Sequence, residues 1–507
     1  MSHGENFGVP KSRWRVRFAS DQLNHPTNPM AFVDDLPEWG TGWLADEGIA
    51  PGAPFLLSPV FEYDIELNAY FTNELASSAP KTQEASARDL AAFLTFLWRS
   101  RGGRSWRDAT EDDHRAYLMW RRRDPRGPRV SGTTWDREVA TVNKFYWWAL
   151  KSGYVAAHPL PQRMRRRLPA GGDWHAARPG DELRPATYSH DGGSERVVWL
   201  PPADYRRWRD IGIRGFGADG LPHEAFRGRW AARNTLYCDL MVRTGLRVSE
   251  QSALSVFEVP HGRGLGGFQR FWLPVSIAKG RSARWVYIPP SLLPDVEAYV
   301  EIDRALVIAD AQTAGRYNWR HPWVVEDPGN PVAVQRVDGV ATKFDVAEMD
   351  AEQRSQTLLD GPAGLEPVAF WLGESGRPLS VAAWKGIFRE ANQRCDRAGV
   401  NIECHPHALR HSFAVVTLEQ LQRGHIDALA ELNAAQRCHY TRIFGDPLDW
   451  VRRRLGHRSV TTTLKYLHAL AELEMHTRMK LVPSDWDDVR EELEEDAKSA
   501  ADKRVTE

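Results

Sequence analysis

A chain of 507 residues with 42% apolar and 26% charged residues is long enough for two well-cored domains and has the composition of a globular protein. No stretch approaches the roughly eighteen consecutive apolar residues of a membrane span, and the opening MSHGENFGVPKSRWRVRF lacks a signal-peptide core. The net charge of -1 hides an asymmetry: from Ser484 onward ten acidic residues face four basic ones, leaving the tail at -6 and the body at +5. Four scattered cysteines (Cys238, Cys395, Cys404, Cys438) read as reduced thiols of a cytoplasmic protein.

Residues 1–60 are rich in Pro, Gly and Trp without sustained periodicity, and read as an N-terminal packing extension of unassigned role. From residue 61 the pattern turns helical. Thr82 to Trp98 sets Leu90, Phe93, Leu94 and Leu97 on one face, and a second helix begins near Thr110, with acidic groups in its first turn. A third, from about Thr133 to Lys151, carries the stripe Trp135, Val139, Val142, Tyr146, Ala149, and Gly153 ends it. The stripe reads as core. Residues 163–194 lack a periodic apolar face and read as a linker. Two basic clusters, Arg121, Arg122, Arg123 and Arg165, Arg166, Arg167, flank the third helix and suit a phosphate track.

Near Val197 a strand-then-helix pattern opens a second domain. Residues 231–247 form a buried helix running into Thr244-Gly245-Leu246-Arg247, and residues 271–289 alternate around Lys279-Gly280 as a hairpin does. The stretches 305–365 and 418–448 look like insertions. No Walker-type loop, zinc-ligand spacing or carboxylate cluster is evident, so no cofactor and no metal is expected.

Chemistry concentrates in three phrases: RTGLRVSE (243–250), HPHALRHSFA (405–414) and LGHRSVTTTLKY (455–466). A phosphodiester resists attack because it is anionic and its alkoxide leaves poorly, so a metal-free enzyme must supply positive charge and a proton. Arg247 and Arg410 can fork phosphate oxygens. His407 and His457 can hydrogen-bond the phosphate, with His407 read as the proton acceptor for a tyrosine nucleophile, Tyr466. His407 and Arg410 stand three residues apart and share a helix face; His411 is one step round and buttresses the site. Glu250 reads as a structural partner of nearby charges.

In this order the six residues Arg247, Lys279, His407, Arg410, His457 and Tyr466 resemble the catalytic set of the tyrosine recombinases (phage integrase family), and the resemblance covers roughly residues 65–470. It implies a mainly α fold with a small antiparallel β component: a helical core-binding (SAM-like) domain over 61–162, the linker 163–194, a mixed α+β catalytic domain over 195–482, and the acidic tail 483–507. It further implies that Lys279 protonates the departing 5′ oxygen, that the product is a 3′-phosphotyrosyl link, and that residues 467–481 pass to a neighbouring protomer. The partners it implies are double-stranded DNA, a homotetramer on that DNA and an accessory DNA-bending or directionality factor, with no membrane, in a bacterial cytoplasm at the nucleoid. A site-specific recombinase, the integrase or transposase of a mobile element, is the leading expectation. A catalytically silent DNA-binding protein of the same fold and a type IB topoisomerase-like enzyme are the alternatives.

Overall fold

The computed structural model describes residues 13–20, 44, 48–164, 183–189, 191, 197–224, 226–262, 264–337, 339–430 and 446–479. The chain divides into two compact units between residues 195 and 196. Arg165, Arg166, Arg167, most of the expected linker and the acidic tail lie outside the described residues.

The first unit is built on three helices: α1 (Pro80–Ser100), α2 (Glu111–Arg122) and α3 (Gly132–Lys151). Each starts where its sequence says it should. Pro80 opens α1, a position that needs no backbone N–H. Thr110 and Asp113 cap each other's backbone at the start of α2, and the Ser131 hydroxyl accepts from the Thr134 N–H at the start of α3. Leu90, Phe93, Leu94 and Leu97 of α1 and the aromatic stripe of α3 are buried together with Tyr70, Trp106 and Tyr117. The stripe is core, as its spacing predicts. Gly153 follows α3 with φ +75°, a left-handed turn that ends the helix.

Two pieces of this unit were not legible. Arg15–Phe18 (β1) pairs antiparallel with Pro54–Leu57 (β2), and Trp14 and Val16 pack on the helical core. Gln162–Met164 (β3) pairs with Leu183–Pro185 (β4), and the chain after it is held to the helices. The Trp135 indole donates to the Thr187 carbonyl at 2.8 Å, and the Ser189 N–H donates to Asp136 at 2.7 Å. Residues 183–189, within the stretch read as a linker, are therefore docked.

The second unit holds the remaining elements. The expected strand near Val197 has no sheet partner among the described residues, and the helix after it is α4 (Pro202–Trp208). Then come α5 (Ala231–Thr244), the short α6 (Val248–Ser252) and a hairpin of β5 (Gln269–Leu273) and β6 (Arg284–Ile288). Its register pairs Trp272 with Trp285 and Leu273 with Arg284. The strands do not meet at Lys279-Gly280: residues 274–283 connect them, with a 3-10 turn at Lys279–Arg281.

The stretch 305–365, read as an insertion, is structured. It contains α7 (Ala305–Thr313) and the strands β7 (Trp323–Val325), β8 (Val332–Val337), β9 (Val340–Asp345), β10 (Thr357–Gly361) and β11 (Gly364–Pro367). They form one sheet in the order β11-β10-β7-β8-β9, antiparallel except for the β10–β7 pair. After it come α8 (Val381–Arg397), α9 (Pro406–Ala430), α10 (Pro447–Leu455) and α11 (Thr461–Met479). The main core sets Tyr237 of α5 flat on Trp384 of α8, ring centroids 3.5 Å apart, while Phe413, Val451, Leu455 and Tyr466 join α9, α10 and α11 in a second cluster. Among the described residues no helix is long and apolar enough to cross a membrane.

Candidate active site

The site is assembled where two helices end and a third begins. Helix α5 stops at Gly245, which takes φ +67°, and a Cβ there would stand 2.4 Å from a ring carbon of Phe413. Only glycine meets both conditions. The turn delivers Arg247, which precedes α6. Helix α10 stops in the same way at Gly456, φ +65°, and delivers His457.

Arg410, on α9, joins the two turns. It is 1% exposed and donates to the carbonyls of Gly245 and, at 2.5 Å, Leu455. Both acceptors lie at helix C-termini, where unpaired carbonyls and the helix dipole favour a cation. Burial and the like charge of Arg247 push its guanidinium down to about 9, which leaves it charged at neutral pH.

Glu250 organises the other half. Fully buried on α6, it accepts from Arg247 (Nη1 at 2.7 Å, backbone N–H at 3.0 Å) and from Arg284 (Nη2 at 2.6 Å). Burial opposes its charge, but Arg284 and Arg247 outweigh burial and hold the carboxyl at about 2. The sequence reading of Glu250 as a partner of nearby charges describes this arrangement. Arg284 was missed. Its signal is a cation on the inward face of a hairpin whose other inward residues, Phe271, Leu273, Val286 and Ile288, are apolar. A charge in that place needs a buried partner.

Lys279 reaches this network through its backbone, whose N–H donates to Glu250 at 3.3 Å. Arg458 donates to the neighbouring Gly280 carbonyl at 2.7 Å and Ser282 to the Lys279 carbonyl at 2.9 Å, so the connection is pinned while the Lys279 residue is exposed.

Tyr466, on α11, is 1% exposed. Its hydroxyl lies 2.8 Å from Nδ1 of His411, and the His457 ring lies nearly parallel to its own, centroids 6.2 Å apart. The His457 Nδ1 meets the Thr463 hydroxyl at 2.9 Å, which fixes the imidazole plane. Burial raises the phenol to about 12 although Arg410 and Arg247 pull the other way. Desolvation thus outweighs the pull of the two arginines towards the phenolate.

His407 and His411 stand one turn apart on α9, ring centroids 4.1 Å apart. His407 is exposed and His411 buried. Burial, helped by Lys465 and Arg410, lowers His407 to about 4; burial, with His407 and Lys465, lowers His411 to about 2. Burial and Arg410 lower His457 to about 3. All three imidazoles are neutral at pH 7. The sequence reading gave the tyrosine's proton to His407, but the hydrogen bond is to His411, because the residue four positions on from His407 reaches inward where His407 itself faces out. The structure thus gathers Arg247, Arg410, His407, His457 and Tyr466 in one electrostatic field and brings the Lys279 backbone to its edge.

The expected phosphate track divides. Arg121 is committed to buried Glu138, its Nε donating at 2.7 Å, and Arg122 donates to the Val130 carbonyl at 2.8 Å. Arg123 is exposed. A helix's last turn can place a cation inward as readily as outward, and composition does not tell which. Among the described residues no three metal-ligating side chains come together.

Residues 69–153 match the model of the phage integrase N-terminal SAM-like domain. The first unit thus carries the SAM-like domain of phage integrases, and the curated proteins to which the chain is similar are tyrosine recombinases. Among curated relatives, the chain is 23% identical over 403 residues to tyrosine recombinase XerC of Lactobacillus leichmannii, across 79% of this chain and 92% of that protein. With tyrosine recombinase XerD of Corynebacterium glutamicum it shares 27% over 187 residues, 35% of this chain and 52% of that protein. Solved structures that align with it include the Tn1549 transposon integrase with transposon right-end DNA, at 13% identity, 81% and 98% coverage and a TM-score of 0.43.

Proposed function

We propose that this protein is a site-specific DNA recombinase that cleaves and rejoins duplex DNA through a 3′-phosphotyrosyl link at Tyr466, and that it serves a mobile element as integrase or transposase. The observation that carries the reading is the convergence of Arg247, Arg410, His407 and His457 around a buried tyrosine, with the Glu250 carboxylate holding Arg247 in place. Two guanidiniums, Arg410 forked to helix-end carbonyls and Arg247 held through Nη1 by a buried carboxylate, form a preorganised anion site whose charge costs no reorganisation when phosphate arrives.

In this reading Arg247 and Arg410 take the non-bridging oxygens, and His407 and His457 donate to them. Tyr466 attacks phosphorus, and Lys279, held at the edge of the site, gives a proton to the departing 5′ oxygen. The phosphotyrosyl bond conserves the energy of the broken ester, so a second 5′ hydroxyl rejoins the strand without ATP. Four protomers on two duplexes, aided by an accessory DNA-bending or directionality factor, would exchange strands in pairs at the bacterial nucleoid.

Nicked suicide duplexes drawn from DNA flanking the gene test this. Wild type should give an SDS-resistant adduct and Tyr466→Phe should give none while still binding. Salt-sensitive binding without an adduct from either would favour the silent binder.

A further inference from the structure

Within the recombinase reading, on which this inference rests, one question stays open: which group receives the proton of the attacking phenol. We propose that His411 is a catalytic residue, the general base that accepts the Tyr466 proton, and that His407 acts on the phosphate instead.

The geometry distinguishes the two. Nδ1 of His411 is 2.8 Å from the Tyr466 oxygen, inside the range a general base needs, and the contact is already made in the free protein. Both residues are almost fully enclosed, at 6% and 1% exposure, so no water competes for the phenol proton along that line. His407 is exposed, one turn nearer the solvent. Its place suits a group that meets incoming DNA. The surrounding charge keeps His411 neutral, and in this proposal its proton sits on Nε2 so that Nδ1 accepts. His411 faces His407 and Arg410 on its own helix, His405 just before it and Lys465 on α11, and these with burial keep its ring neutral. A neutral imidazole protonated at Nε2 presents a lone pair at Nδ1.

In the step itself, the Tyr466 oxygen forms a bond to phosphorus as the P–O5′ bond breaks. The O–H electron pair stays on the tyrosine oxygen, its proton passes to His411 Nδ1, and a separate proton from Lys279 goes to O5′. Before attack the phenol is a far weaker acid than the imidazolium, so no phenolate accumulates. As the oxygen bonds to phosphorus it becomes strongly acidic, and transfer to His411 turns downhill. Proton transfer therefore accompanies bond formation.

The test is the single-turnover rate of adduct formation on a nicked suicide duplex between pH 5.5 and 9.5, for wild type, His411→Ala, His411→Gln and His407→Ala. Wild type should show no limb near pH 6.5. His411→Ala should fall about 100-fold or more at pH 7, rise about tenfold per pH unit as the phenol ionises, and recover in added imidazole. Should the alanine variant fail to fold, His411→Gln, which can still accept a hydrogen bond but not a proton, should show the same loss and slope with wild-type DNA affinity. His407→Ala should slow the reaction without changing the profile. A loss equal at every pH with no imidazole rescue would mean a merely structural role, and the sloping profile in His407→Ala would give His407 the task; either overturns the proposal. Absence of any adduct from wild type would instead overturn the recombinase reading, and the base assignment with it.

Discussion

The guanidinium of Arg410 donates to the carbonyl of Leu455 at 2.5 Å, tying the helix that carries His407 and His411 to the turn that carries His457. Its other arm reaches Gly245, beside Arg247. A residue expected only to hold phosphate is thus also the bolt of the site, and what disturbs its acceptors should disturb chemistry and stability together.

Gly245→Ala tests that coupling. The substitution puts a methyl group 2.4 Å from Phe413 at φ +67°. It should cost on the order of 1–3 kcal/mol in urea denaturation and reduce adduct formation more than DNA binding. An alanine variant of wild-type stability would contradict the packing described here.

Glu250→Gln removes a buried charge from between Arg247 and Arg284. Breaking a buried pair from one side costs about 3–5 kcal/mol, and the Glu250 site holds two cations. The unfolding midpoint in denaturant should fall accordingly. Because a glutamine keeps one accepting oxygen for the five donors that Glu250 serves, among them the Lys279 N–H, proton delivery to the leaving oxygen should weaken. A bridging 5′-phosphorothiolate, whose sulfur leaves without a proton, should recover much of the rate.

Arg121 and Arg123 should behave oppositely although they stand two residues apart. Arg121→Ala leaves buried Glu138 with the Tyr117 hydroxyl at 3.0 Å but no cation, so thermal stability should drop. Arg123→Ala should leave stability within about 0.5 kcal/mol. If Arg123 meets a phosphate, the slope of log affinity against log salt should fall by about 0.9. An unchanged slope would remove Arg123 from the interface.

Stability should decline in acid from a higher pH than carboxylates alone would dictate. His411 and His457 are held at about 2 and about 3 when folded, against about 6.5 when unfolded. Below pH 6.5 the unfolded chain binds protons that the folded chain refuses, so stability is full above that pH and falls beneath it. The slope is up to about 1.4 kcal/mol per pH unit from His411. Glu250, at about 2, adds a loss between its unfolded value of 4.5 and 2. Calorimetry from pH 8 to 4 should show the midpoint falling below pH 6.5, with a shallower fall in His411→Gln.

The residues that converge at the candidate site could be singled out because Arg, His and Tyr recur there in three fixed phrases, and Gly245 stands just ahead of Arg247. The helices of the first unit were legible because Thr110, Ser131 and the apolar stripes encode them locally. What escaped depends on distant partners. The pairing of β1 with β2 spans some forty residues, and the sheet from β7 to β11 lies in a stretch whose alternation is too short to declare itself. Arg284 could be placed only once Glu250 was known to lie beneath it. The choice of His411 over His407 turns on which way α9 faces, and Arg121's inward turn depends on a glutamate seventeen residues on. Neither is a local property.

The most direct test of the account is to map the covalent bond. After trapping on a suicide duplex, the adduct should be digested with protease and nuclease and the nucleotide-bearing peptide sequenced by mass spectrometry. The account predicts the modification on Tyr466, linked to a 3′ phosphate. A nucleotide on any other residue, or a 5′ linkage, would contradict it.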